Sequence, residues 1–365
     1  MKILCVCSGS YVSGKEFVTL DVLEGLVAKG HDVEVMYPGW NDGTFKKELD
    51  RIGISSHPIM LGWYYLTKLK WTLDSLVHYP KAIKQFRAVY RRQNPDVVYF
   101  DSYRNVFLLK PYINKPIVLH VHDSYSDSTS QKFVRRIDSK TSKYIAVSEF
   151  VKKEIEDIGM KSEKVTVVYN GVSQVDNFEK TYLPKGCLRI GIVGQIIPRK
   201  GHQDLIEACA LIDNKLGFEL HVFGYAKDDS WLSTLKELVA EKGLRDNVFW
   251  HGFIKDKTKI YDNLDVIAVP TTTEEPFGLI SVEAGMHKVP AIVYRSGGLP
   301  ETVVNKSTGF IVEKGDVKGL SNKLQYFINN KNALIEMGDT SRKNAMQNFV
   351  KSTMVDHMET QLTIG

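Results

Sequence analysis

The densest chemistry in the 365-residue sequence lies in one stretch, Pro270-Thr271-Thr272-Thr273-Glu274-Glu275-Pro276-Phe277-Gly278-Leu279-Ile280-Ser281-Val282-Glu283-Ala284. An apolar run, Val266 to Val269, leads into a polar loop containing Pro and Gly, and the pattern then turns helical. A helix N-terminus presents unbonded N–H groups and the positive end of its dipole, so the amides of Phe277, Gly278 and Leu279 are suited to receive a diphosphate. Gly278 removes the Cβ that would hold a phosphate off. Carboxylates repel phosphate but bind neutral hydroxyls well, which assigns Glu275 to the hydroxyls of a sugar and Glu283 to a ribose diol. The eight residue steps from one to the other span about 12 Å if helical, at roughly 1.5 Å per residue. That matches the reach from a hexose, across a diphosphate, to a ribose.

The elements around this stretch follow a βαβ rhythm. The chain opens with a strand pattern (Lys2 to Ser8), a turn-prone loop, a helix with Phe17, Leu20, Leu23 and Val27 at helical spacing, and a second strand, Val33 to Met36. Strand-like runs recur at Val97 to Phe100, Ile117 to His120, Tyr144 to Val147 and Val165 to Tyr169, as in a parallel sheet covered on both faces. Between Gln174 and Lys185 the composition becomes that of a connection. The rhythm then restarts with Leu188 to Val193, a helix from Gln203 to Ile212, and strands at Phe218 to Phe223, Val248 to Trp250, Val266 to Val269 and Ala291 to Tyr294. A first domain over 1–180, a second over 187–344, and a C-terminal helix over 345–365 that crosses back to the first domain are expected. In such sheets ligands gather beyond the carboxyl ends of the strands. His120-Val121-His122-Asp123 occupies one such end, with His120 expected on the opposite face to His122 and packed away.

The Glu-x7-Glu arrangement with its Pro-Phe-Gly core resembles the signature of the large retaining glycosyltransferase family four, an α/β family with the GT-B fold of two Rossmann-like doubly wound domains facing across a cleft. Gly194-Gln195-Ile196-Ile197-Pro198-Arg199-Lys200-Gly201 is similar to that family's phosphate loop, Asn170-Gly171-Val172 to its strand-end Asn-Gly-Val, and Gly297-Gly298-Leu299-Pro300-Glu301 to its Gly-Gly-x-Pro-Glu turn. Ser13-Gly14-Lys15-Glu16 resembles its Gly-Gly-x-Glu, with Ser13 in place of one Gly. The resemblance implies transfer of a hexose-type sugar, with retention at the anomeric carbon, from a nucleotide diphosphate donor to a glycan or lipid-linked acceptor. UDP or GDP is the expected nucleotide. It makes His122 the histidine that positions sugar and acceptor, brings Gly14 against the donor phosphates or acceptor, and keeps Glu275 as an orienting group. One position departs from the pattern. Gln195 stands where the family usually has Arg, so phosphate neutralisation falls to Lys200, with Arg199 and the helix dipole. The chain has no Asp-x-Asp, and no metal is expected. An inactive sugar-nucleotide binding protein and a GT-B epimerase are the alternative readings. A dehydrogenase is disfavoured because Gly191-Ile192-Val193-Gly194 lacks the G-x-G-x-x-G fingerprint.

The net charge of +5 is concentrated in one segment. Between Met60 and Gln93, Lys68, Lys70, Lys81, Lys84, Arg87, Arg91 and Arg92 face a single acid, Asp74, and they interleave with Trp63, Tyr64, Tyr65, Trp71, Tyr79 and Phe86. This composition suits contact with an anionic membrane surface through residues 60–93. No nucleic-acid motif accompanies the charge. The N-terminus runs straight into a strand and no window has the apolar length of a membrane span, so the cytoplasm, at the inner face of the membrane, is the expected location. Cys5, Cys7, Cys187 and Cys209 lack C-x-x-C spacing and are expected to be reduced core thiols.

Overall fold

Unbroken apolar runs become the central strands of two parallel sheets, because a strand covered by helices on both faces has no solvent side to mark with polar residues. The computed structural model of the chain describes residues 1–9, 11–62, 69–175, 180, 188–213 and 217–363. Two compact units result, one formed by Met1–Gly171 with Lys351–Gly365 and the other by Val172–Val350. The first break therefore lies ahead of the 174–185 stretch read as the connection, of which 176–179 and 181–185 lie outside the described residues.

The first unit runs β1 (Lys2–Val6), α1 (Gly14–Ala28), β2 (Asp32–Pro38), α2 (Thr44–Ile52), β3 (Ser55–Ile59), α3 (Leu69–Gln93), β4 (Val97–Phe100), α4 (Tyr103–Leu109), β5 (Ile117–Val121), α5 (Ser128–Ile137), β6 (Lys143–Ala146), α6 (Glu149–Asp157) and β7 (Val165–Val167). The second runs β8 (Leu188–Val193), α7 (His202–Ala210), β9 (Phe218–Phe223), α8 (Asp229–Glu241), β10 (Val248–Gly252), α9 (Lys257–Tyr261), β11 (Val266–Val269), α10 (Leu279–Met286), β12 (Ala291–Tyr294), α11 (Leu299–Thr302), β13 (Gly309–Val312), α12 (Val317–Asn329) and α13 (Lys331–Asn348). The last helix, α14 (Lys351–Thr363), returns to the first unit and packs on α1. Lys351 anchors it there by ion pairs to Asp21 at 2.6 Å and to Glu24.

Among the described residues the strand orders are β3-β2-β1-β4-β5-β6-β7 and β10-β9-β8-β11-β12-β13, with every strand pairing parallel. The strand order of each sheet reverses once, between β1 and β4 in the first and between β8 and β11 in the second. Those reversals open the crevices where doubly wound sheets bind ligands. β3 and β13 were absent from the sequence expectation. Ser55-Ser56-His57-Pro58-Ile59 is an edge strand with only Ile59 buried, so it carries almost no apolar signal. Four-residue β13 follows a turn and opens with Gly309. No helix among the described residues is long and apolar enough to cross a membrane.

Candidate active site

In the second unit the two strands at the reversal deliver the two chemistry-bearing loops. Beyond β8, Gly194 to Gly201 forms a tight loop ending in a short turn at Pro198–Lys200. Beyond β11, Pro270 to Gly278 leads into α10. The Thr272 amide donates to the Arg199 carbonyl at 2.9 Å, which ties the loops together. Across that junction the Lys200 ammonium lies 2.7 Å from a Glu275 carboxylate oxygen, with both side chains about four-fifths buried. The Lys200 charge is therefore answered within the protein by this carboxylate. The loop after β12 straps the same residue from the other side. The Gly298 amide donates to the Glu275 carbonyl at 2.8 Å, the Gly297 amide to the Glu274 carboxylate at 2.5 Å, and Ser296 Oγ to the Thr273 carbonyl at 2.5 Å.

Gly297 has φ +54°, and a Cβ there would meet the Glu275 carbonyl oxygen at 2.2 Å. The Gly-Gly turn thus exists so that backbone can approach backbone. Gly278 precedes α10 at φ +111°, and a Cβ on it would meet the Leu299 side chain at 2.5 Å. The positive φ already favours glycine here, independently of any phosphate. The Phe277 side chain is buried edge-on against Phe349, leaving its backbone as the part available to a ligand. Leu279 is the first helical residue.

The helical ruler between the glutamates requires correction. α10 begins at Leu279, so Glu275 lies in the preceding loop and only the second half of the Glu275–Glu283 interval has helical rise. Glu283 is held by α9, its carboxylate accepting from the Tyr261 hydroxyl at 2.8 Å and from Lys257 at 2.5 Å. A diol reaching Glu283 would share it with these groups. Gln195 donates through Nε2 to the Tyr225 hydroxyl at 2.9 Å, bracing the loops after β8 and β9 rather than supplying charge. Arg199 is exposed.

In the first unit the reversal between β1 and β4 carries a polar cavity of about 420 Å³, lined among others by Ser8, Lys15, Glu16, Tyr103, Arg104 and Asp123. Gly14 is the first residue of α1, and Glu16 caps that helix by accepting from the Ser13 amide at 3.1 Å and hydroxyl at 2.5 Å. A Cβ on Gly14 would meet nothing within 4 Å, so its own protein does not require glycine there. His122 is 9% exposed, and its Nε2 has no hydrogen-bond partner among the described residues. Burial holds its imidazole well below the ordinary range, and His120 and Lys15 push it further the same way. It is a neutral ring. The placing of His120 on the opposite face is overturned, since residues two apart along a strand share a face. The two rings lie 3.9 Å apart, and Tyr99 lies 2.7 Å from His120 Nδ1.

Sequence reasoning passed over Asp101 and the chemistry of Lys15. Asp101 follows β4 directly and is 3% exposed. One carboxylate oxygen accepts from the Ser8 amide at 3.1 Å and lies 3.8 Å from Lys15 Nζ, while the other has no partner among the described residues. An acid immediately after a fully apolar strand was the available signal. Cys5 and Cys7, with sulfurs 3.4 Å apart, and Cys209 are buried free thiols; Cys187 lies outside the described residues.

Two parallel doubly wound units, each with a ligand crevice at its own reversal, constitute the GT-B fold. The sequence matches the family model for Glycosyltransferase Family 4 over residues 12–174 and that for glycosyl transferases group 1 over residues 173–344, and the chain belongs to glycosyltransferase family four. It is 31% identical to the capsular polysaccharide biosynthesis glycosyltransferase CapM of Staphylococcus aureus over 59% of this chain, and the match spans 60% of that relative's length. It is 22% identical to the N-acetyl-alpha-D-glucosaminyl L-malate synthase of Bacillus anthracis, over 99% of this chain and 96% of that one. Among solved structures, Anabaena HepE in complex with UDP shares the fold with a TM-score of 0.84 over 100% of both chains at 22% identity. A glycosyltransferase from Rickettsia africae shares it with a TM-score of 0.85, over 100% of this chain and 98% of that one at 23% identity.

Proposed function

We propose that the protein is a retaining, metal-independent hexosyltransferase that moves a sugar from a nucleotide diphosphate donor, UDP or GDP, to a glycan or lipid-linked acceptor in polysaccharide or glycolipid synthesis. The Lys200–Glu275 pair carries this reading, because residues 75 positions apart are brought to 2.7 Å beside a helix N-terminus at a sheet reversal. Catalysis of this transfer needs donors aimed at the charge that develops on the departing diphosphate. The Lys200 ammonium and the amides of Phe277, Gly278 and Leu279 supply them, Arg199 adds longer-range positive charge, and Gln195 braces the loop. Glu275 orients the sugar hydroxyls and Glu283 the ribose. Gly14 offers the amide at the start of α1, and neutral His122 offers a hydrogen bond to sugar or acceptor.

In the reaction the anomeric carbon–phosphate oxygen bond breaks and the acceptor oxygen bonds the same face of that carbon. The acceptor's proton passes to the departing phosphate oxygen. The identity with CapM supports a role in polysaccharide synthesis. Nucleotide release measured across UDP-, GDP- and ADP-sugars, with Glu275→Ala as control, tests the proposal. Release that depends on acceptor and is lost in Glu275→Ala supports transfer. Binding without release would make the chain an inactive sugar-nucleotide binder, and conversion of the donor without an acceptor would make it an epimerase. Activity is expected to survive EDTA, and complete loss on chelation would refute the metal-free mechanism.

A further inference from the structure

The N-terminal half of α3 is apolar yet exposed. Leu69, Trp71, Leu73, Leu76 and Val77 are 52–76% exposed, and Ser75 is the one buried residue between Leu69 and Pro80. From Ala82 onward the same helix is ordinary, burying Ala82, Ile83, Phe86 and Val89 against the sheet. Contiguous exposed apolar surface on a globular protein marks a binding site. Beside this half-helix lies an apolar groove of about 270 Å³, lined by Leu76, Tyr79, Arg104, Phe107, Leu108 and Phe133.

Arg104 is a wall of this groove and also of the polar cavity at the β1–β4 reversal. An unbroken file of rings joins the two spaces. Tyr125 stands edge-on to Tyr103 at 5.3 Å, Tyr103 lies 6.2 Å from Phe133, and Phe133 meets Phe107 edge-on at 4.9 Å. Tyr125 and Tyr103 line the polar end, Phe133 and Phe107 the apolar end. Cationic side chains stand on α3 and at the end of α4, the helices that contribute Leu76, Tyr79, Phe107 and Leu108 to the groove. Lys110 lies 5.5 Å from the Phe107 ring, and its ammonium is held below the ordinary lysine range by partial burial and then by Arg136 and Lys140. Lys70, Lys81, Lys84 and Arg87 are exposed on α3.

We propose that this tract binds an anionic amphiphile. The polar head occupies the cavity at the β1–β4 reversal, a phosphate-type anion lies at Arg104, and the hydrocarbon chain occupies the groove against Leu76 and Phe107. Within the glycosyl-transfer reading, on which this assignment of role rests, the amphiphile is the acceptor, which narrows its class to a phosphate-linked lipid. A neutral glycan has no use for the groove, and a free sugar phosphate has none for the exposed leucines.

Calorimetric titration of the full chain with butyl, octyl and dodecyl phosphate, each kept monomeric, tests the proposal. Affinity should rise by about fourfold for each methylene that enters the groove. Leu76→Glu, at an exposed position that cannot disturb folding, and Phe107→Ser should flatten that rise. Arg104→Gln should weaken all three phosphates about tenfold and leave octyl glucoside unchanged. Equal affinity for all chain lengths, or an unaltered rise in both groove variants, would overturn the proposal. So would binding to phosphatidylglycerol vesicles with none to octyl phosphate, which would make the surface a bilayer contact. UDP and GDP titrated into the same samples separate the two readings. Absence of nucleotide binding removes glycosyl transfer and leaves the chain-length result intact.

Discussion

Lys200 and Glu275 form a part-buried charge pair, and such a pair contributes through what it positions more than through its own attraction. Replacing Lys200 by Ala leaves the Glu275 carboxylate without its cation and, in the proposed transfer, removes an ammonium from the departing diphosphate. A charge-assisted hydrogen bond is worth roughly tenfold to a hundredfold in rate or binding. kcat/KM for the donor should fall by about that factor or more in steady-state kinetics, and unchanged kinetics would remove Lys200 from the site. His122 behaves differently. Its depressed pKa keeps it neutral through the working range, so an acid limb near pH 6.5 in the rate profile should be absent. The positions themselves were legible in the sequence, Lys200 and Glu275 through residue type and motif and His122 through its match to the family pattern. The partners of Glu283, Tyr261 and Lys257, were not, because a side chain's neighbours across an unwritten loop conformation have no local sequence signal.

The loops beyond β8, β11 and β12 act as one assembly, since each hydrogen bond between them fixes the backbone of a neighbour. Gly297 is the tightest contact in it. An alanine there pays the left-handed backbone cost of about 1–2 kcal/mol and also drives its methyl into the Glu275 carbonyl. Gly315, at φ +80°, has nothing within 4 Å of a built Cβ and isolates the backbone cost alone. Urea denaturation should therefore show Gly297→Ala at least about 1 kcal/mol less stable than Gly315→Ala, with kcat falling in the first variant only. Equal losses would show that the strap is slack. The helical ruler failed at this level for the same reason, as the carboxylate at its front end belongs to a strapped loop rather than to α10.

Across the whole molecule, the burial of histidines couples stability to acid, most strongly at three of them. Burial lowers His120 to about 3 and His202 to about 4, and holds His122 well below its ordinary value. All three are neutral in the folded chain near pH 7. Below about pH 6.5 the unfolded chain binds protons that the folded chain refuses, so stability is complete above that pH and declines as pH falls toward the folded-state values. Each group contributes a slope of up to about 1.4 kcal/mol per pH unit. Urea midpoints at pH 7 and pH 5 should differ by several kcal/mol in extrapolated stability, and a flat profile would refute the burial. The sequence alone determined the two doubly wound units, most of their strands, the family signature and the residue types at the strand ends, because hydrophobic periodicity and helix-start chemistry are local. Only the tertiary structure decided where the units divide, how closely the His120 and His122 rings approach, that Asp101 and Lys15 meet, and that the apolar half of α3 adjoins a polar cavity through Arg104. Those facts depend on which loops emerge side by side at a sheet reversal, and strand order is set by packing of elements far apart in the chain.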